Sequence, residues 1–143
     1  MISLFLAGPL LLVVGSSVAE AALQTRSIEY QHGETVLEGH LAYDDTFHGR
    51  RPGVLVIHEW KGLNDYAKRR AEQLAQMGYV AFAADMYVKG VGAKDHDEAA
   101  RLSGVYRSDR QLMRARAKAA LDVLRSHELT DEQRLAAIGY CFG

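Results

Sequence analysis

Gly53-Val54-Leu55-Val56-Ile57-His58-Glu59-Trp60-Lys61-Gly62-Leu63 is the stretch on which the fold turns. Its first five residues form an unbroken apolar run, bounded by Pro52 and by charge, the pattern of a strand covered on both faces in a parallel sheet. Toward the C-terminus, Asn64 or Asp65 can cap a helix whose apolar positions Ala67, Ala71, Leu74 and Ala75 recur at helical spacing. Gly78 suits the left-handed position that ends such a helix, and Tyr79 to Ala84 then reads as a second buried strand. Strand, helix and strand make a βαβ crossover, so the two strands are expected to lie parallel and adjacent.

Upstream, Ser27 to His32 and Val36 to Tyr43 read as two short strands joined by a tight turn at Gly33-Glu34, an antiparallel hairpin. The polar segment Asp44 to Arg51 is expected to cross the surface. Downstream, Lys89-Gly90-Val91-Gly92 is a glycine-bearing loop, followed by a polar helix from about Lys94 to Val105. Ser108 and Gln111 have the spacing of a capping box for a further helix, with Met113, Ala117, Ala120, Leu121 and Leu124 on one face and an end near His127. The arginines between Arg107 and Arg116 surround that apolar stripe and read as a solvated helix face. Arg134 to Ile138 is the next strand. The order hairpin, then β-α-β-α-α-β, is the first half of a doubly wound α/β sheet with helices on both faces; the second half is not in this sequence.

At 143 residues, 48% apolar and 24% charged, the chain has enough material for one domain with a core. A formal charge of -1 supplies no field to attract nucleic acid or an anionic membrane surface. The six histidines show no i,i+4 pair, and no metal ligand set or cofactor is assigned. Residues 1–22 have the order of a signal peptide: an apolar run broken by Gly8-Pro9, then small residues ending in Ala19-Glu20-Ala21. Cleavage is expected after Ala21 or Ala22, leaving residues 23–143 as an exported, periplasmic or secreted domain with no membrane attachment. The sequence has one cysteine, so no intramolecular disulfide can form.

That cysteine lies in Gly139-Tyr140-Cys141-Phe142-Gly143, directly after a buried strand. A nucleophile elbow needs small residues two before and two after the nucleophile, because the strand-to-helix turn is strained and its neighbours approach closely. The turn would lift the sulfur above the sheet, at the N-terminus of a following helix where an anionic sulfur is favoured. The backbone N–H of Phe142 would help to bind an oxyanion.

Three local matches now make the chain resemble the dienelactone hydrolases, cysteine-dependent members of the α/β-hydrolase fold. They are Gly53 to Leu63, Gly78 to Lys89 with its Gly78-Tyr79-Val80 and Asp85-Met86-Tyr87 elements, and Gly139 to Gly143. The resemblance runs from about Ser27 onward. It implies the N-terminal portion of that fold, with a mostly parallel sheet preceded by the hairpin, and hydrolysis of a carboxylic ester or lactone. Cys141 becomes the nucleophile and Glu59 the carboxylate beside it, able to take the thiol proton when substrate arrives. Trp60 supplies the second backbone oxyanion donor. Lys89 stands where the family commonly has an arginine that holds a substrate carboxylate; it keeps the charge without the planar fork. The family completes its triad with an aspartate and a histidine after the elbow, and no residue here matches those roles. His96 and His127 precede the nucleophile and read as solvent-facing, His58 as packing or as support behind the site, and Asp85 as a turn residue. Two other readings stay open: an inactive fragment or binding remnant of the fold, and a redox-responsive thiol protein.

Overall fold

Strands that are apolar on both faces have to be sandwiched, and the two at residues 53–57 and 80–84 are. The computed structural model describes residues 23–143; the expected signal peptide lies outside the described residues. The elements are β1 (Leu23–His32), β2 (Thr35–Asp44), β3 (Arg51–Ile57), α1 (Asp65–Gln76), β4 (Val80–Ala84), α2 (His96–Ser108), α3 (Arg110–Ser126) and β5 (Thr130–Gly139). They form a five-stranded sheet of order β1-β2-β4-β3-β5. β3 is parallel to both β4 and β5, while β2 is antiparallel to β1 and β4, so the hairpin extends the sheet rather than standing apart from it.

Side chains alternate between two cores. On one face Val56, Ala81 and Ala83 meet Ala71 and Ala75 of α1, an all-small seam that lets the helix lie close to the strands. On the other, Leu55, Val80 and Phe82 pack with Leu37, Ala120 and Leu124, the last two from α3. Burial of each large apolar side chain contributes about 1.5–3 kcal/mol.

The expected α1 is present with Asn64 as its cap, the Asn64 Oδ1 accepting the N–H groups of Tyr66 and Ala67. It ends at Gly78, φ +92, in a Schellman arrangement: the Gly78 N–H donates to the Ala75 carbonyl and the Tyr79 N–H to that of Leu74. β3, α1 and β4 form the expected βαβ unit, with β3 and β4 paired from Gly53↔Val80 to Ile57↔Ala84.

Five expectations need correction. The hairpin strands run further, with β1 starting at Leu23, because β2 offers pairing partners as far as Asp44. The connection from Asp44 to Arg51 is exposed only between its ends: both end residues are buried, and the Arg51 guanidinium donates to the Asp44 carbonyl at 2.5 Å. Ser108 does not cap α3. It is the last residue of α2, its hydroxyl donating to the Val105 carbonyl, and Asp109 caps α3 by accepting the Leu112 N–H at 2.9 Å. Finally, Arg116 is not solvated. It is buried on the core side of α3, with Nε and Nη1 lacking any protein partner among the described residues. β5 also begins earlier than its apolar run, because Thr130 and Asp131 pair with Arg51 and Pro52 before a bulge that resumes at Leu135↔Gly53.

Candidate active site

β3 pairs with β4 and β5 in register to its last residue, Ile57↔Ala84 and Ile57↔Gly139. Three chain segments therefore leave the sheet side by side: His58-Glu59-Trp60, Asp85-Met86-Tyr87 and Tyr140-Cys141-Phe142. Carboxyl ends of parallel strands are where open α/β sheets hold their ligands.

The elbow is built by what its glycines lack. Cys141 has φ +57, the one non-glycine residue at positive φ among the described residues, and the Gly143 N–H donates to the Tyr140 carbonyl at 3.1 Å to close the turn. A Cβ on Gly139 would lie 2.3 Å from the Gly143 carbonyl carbon, and one on Gly143 would lie 2.8 Å from the Ile57 Cβ. Neither position has room for a side chain. The turn leaves Cys141 exposed and Phe142 buried. The Phe142 ring lies against His58 (5.8 Å, interplanar 18°), Tyr87 (5.8 Å) and Tyr106 (6.3 Å). On the α1 side Tyr140 is held by Arg70, whose Nε donates to its hydroxyl at 2.8 Å, and by an edge-on contact with Tyr66.

Glu59 is half-buried, and among the described residues its carboxylate has no hydrogen-bond or ion-pair partner. The Trp60 carbonyl accepts the Tyr87 hydroxyl at 2.7 Å, and its ring stacks on His96 at 5.4 Å. Among the described residues no protein acceptor takes the N–H of Trp60 or of Phe142.

Two buried polar residues hold this corner from below. His58 is fully buried. Its Nε2 accepts the Met86 N–H at 3.2 Å, which places the proton on Nδ1, where it donates to the Glu59 carbonyl at 2.5 Å. Burial lowers its pKa from 6.5 to about 4, against the raising effect of the carbonyl contacts, so the ring is neutral. Asp85 is no ordinary turn residue: its buried carboxylate accepts the N–H groups of Tyr87 (2.8 Å) and Glu38 (3.3 Å). Burial pushes its pKa up, the two N–H contacts pulling the other way. Burial likewise raises the Tyr87 phenol. A polar residue at the end of an all-apolar strand is the only sequence signal for either.

Of the predicted site residues, Cys141, Phe142, Glu59 and Trp60 share this corner. Lys89 makes its contacts elsewhere. It sits on the hairpin side, its N–H donating to the Val36 carbonyl and its ammonium paired with Glu29 and Glu38, which raise its pKa. Next to it is a cleft of about 300 Å³ lined by Glu38, His40, Lys68, Asp85 and the loop 90–92; Cys141 does not line it. His96 is exposed as expected, but His127 is half-buried against Tyr43, and burial lowers its pKa.

The sequence matches the model of the dienelactone hydrolase family over residues 37–143. It is similar to protein usf of Aquifex pyrophilus, 32% identical over 120 residues that cover 81% of this chain and 50% of that one. Among solved structures, m3DLH superimposes with a TM-score of 0.82 at 43% identity. A dienelactone hydrolase-like promiscuous phosphotriesterase from metagenomic libraries does so with 0.80 at 41%. Both superpositions cover 85% of this chain and 51% of the other, so the chain spans about half the length of these relatives. Its architecture is that of the N-terminal half of an α/β-hydrolase. The match takes in all three strand ends that meet at Cys141, and on it this chain belongs to the dienelactone hydrolase family.

Proposed function

We propose that the protein of family length carrying these residues hydrolyses carboxylic esters or lactones through an acyl-enzyme on Cys141. Glu59 accepts the thiol proton and Sγ attacks the ester carbonyl carbon. The displaced carbonyl electron pair forms an oxyanion, received by the N–H groups of Phe142 and Trp60. Collapse expels the alkoxide, which takes up the proton, and water then attacks the thioester to release the acid and restore the thiol. The observation that carries this reading is the elbow itself: an exposed thiol at φ +57, beside a strand end whose carboxylate has no partner among the described residues.

For Lys89 the proposal has a condition. Binding a substrate carboxylate there requires its ammonium to leave Glu29 and Glu38. Export belongs to the same proposal, and N-terminal sequencing of the secreted protein should find Ala22 or Leu23 first.

The test is turnover of an activated aryl ester and an enol-lactone, with an aryl phosphotriester as a further arm because a similar protein is named for that activity. Cys141→Ala should abolish ester turnover and Glu59→Gln should lower it by about 10²–10⁴-fold. Undiminished turnover by Cys141→Ala would sink the proposal.

A further inference from the structure

The Glu59–Trp60 peptide is gripped along its length. A trans peptide points its C=O and N–H in opposite directions, so fixing one end aims the other. The Glu59 carbonyl is held by two donors, His58 Nδ1–H at 2.5 Å and the Gly62 N–H at 3.3 Å. The next carbonyl, that of Trp60, is held by the Tyr87 hydroxyl. Between them the Trp60 N–H is left without a protein acceptor among the described residues. One imidazole links all three strand ends: it donates to the peptide after β3, accepts from Met86 after β4, and stacks on Phe142 after β5. A fully buried polar ring with both nitrogens engaged is dearer to place than an apolar residue of its size, and packing alone gives no reason for it.

From this geometry we infer that His58 is a positioning residue: its ring fixes the Glu59–Trp60 peptide so that the Trp60 N–H faces the oxyanion, and seats Phe142 so that its N–H converges on the same point. The inference rests on the reading of Cys141 as an acyl-accepting nucleophile. His58 touches no reacting atom and transfers no proton. Its contribution to the reaction appears only when negative charge develops on the carbonyl oxygen, which separates that role from the ring's part in packing.

Two reactions of Cys141 distinguish these roles. Acylation by an activated ester develops an oxyanion; alkylation by iodoacetamide at the same sulfur is a displacement at carbon that places no oxyanion between these N–H groups. His58→Phe keeps a ring against Phe142 and removes both hydrogen bonds. In the protein of family length, it should slow acylation by about 10²–10³-fold, the loss typical of one oxyanion donor, and fall in kcat with KM little changed. Alkylation should stay within about threefold of the unsubstituted protein. His58→Gln, with a donor and an acceptor on one planar amide, should recover acylation to within about tenfold. Acylation and alkylation falling together would make His58 merely structural, and unchanged acylation in His58→Phe would dismiss the inference outright. If the unsubstituted protein is alkylated at Cys141 yet never acylated there, the nucleophile reading fails first and takes this inference with it, a result distinct from either of the others.

Discussion

Acid should loosen this fold through His58. In the folded chain the imidazole is neutral, with a pKa lowered by burial from 6.5 to about 4, and Nε2 is committed to the Met86 N–H. Below pH 6.5 the unfolded chain takes up a proton at residue 58 that the folded chain refuses until about pH 4, so stability falls as pH drops through that window. At about 1.4 kcal/mol per unit of pKa, the full loss is about 3 kcal/mol, of which about 2 kcal/mol falls between pH 7.5 and pH 5. His58→Gln removes this titration while retaining a donor and an acceptor. The measurement is unfolding free energy in urea at pH 7.5 and pH 5 for both proteins, the quantity of interest being the difference of the two pH effects. His127, whose pKa is also lowered, adds an acid loss of the same sign, and Asp85, whose pKa is raised, opposes it. Both remain in the variant and cancel from the difference. Parallel curves, with a difference below about 0.5 kcal/mol, would refute the assignment of His58 as a buried neutral clamp.

Other perturbations test separate parts of the structure. Asp109→Ala should cost about 1 kcal/mol by removing the α3 cap, whereas Ser108→Ala should change stability by no more than about 0.5 kcal/mol; urea unfolding of the pair checks which residue caps the helix. Gly139→Ala drives a methyl into the Gly143 backbone and should destabilise by about 1–3 kcal/mol while abolishing ester turnover, as read by thermal unfolding and a turnover assay. If substrate carboxylates bind at Lys89, Lys89→Met should raise KM for an anionic ester by about tenfold and leave that of a neutral ester alone, steady-state kinetics on matched esters being the check.

The fold was largely legible because its central unit announces itself twice. β3 from Gly53 onward and β4 throughout are apolar, which places them inside a parallel sheet, and Asn64 and Gly78 mark both ends of the helix between them. Most of the failures share a cause, a partner distant in sequence; the cap of α3, decided within three residues, does not. Arg116 looks like one more surface arginine until α3 is laid on the sheet and the residue turns inward. The early start of β5 depends on Arg51 and Pro52 offering it a ladder. α2 runs on to Ser108, which removes that hydroxyl from the cap and leaves the role to Asp109. In the site, Cys141 and its two glycines were readable because steric need at a strained turn acts within five residues. His58 and Asp85 were not, because His58 reaches Met86 only once the ends of β3 and β4 stand together, and Asp85 reaches Glu38 only once β2 lies beside β4. Lys89 was placed by resemblance alone, and nothing local announces its pairing with Glu29 and Glu38 across the hairpin.

The strained turn and the buried aromatic cluster belong to one device. Holding Cys141 at φ +57 costs on the order of 1–3 kcal/mol, and nothing about an exposed thiol repays that. The adjacent residue does. Phe142 is 5% exposed, and burial of such a side chain stabilises by about 1.5–3 kcal/mol, comparable to the strain. Seating its ring among His58, Tyr87 and Tyr106 turns the neighbouring Cys141 outward and holds the turn in its left-handed conformation. The same three rings carry hydrogen bonds to the backbone: His58 to that of Glu59 and Met86, Tyr87 to that of Trp60, and Tyr106 to that of Tyr87. An apolar cluster would have offset the strain equally well. Choosing rings that also carry polar atoms ties the elbow to the peptide opposite it, so the geometry of the sulfur and that of the Trp60 N–H are set by one packed unit rather than by two independent loops.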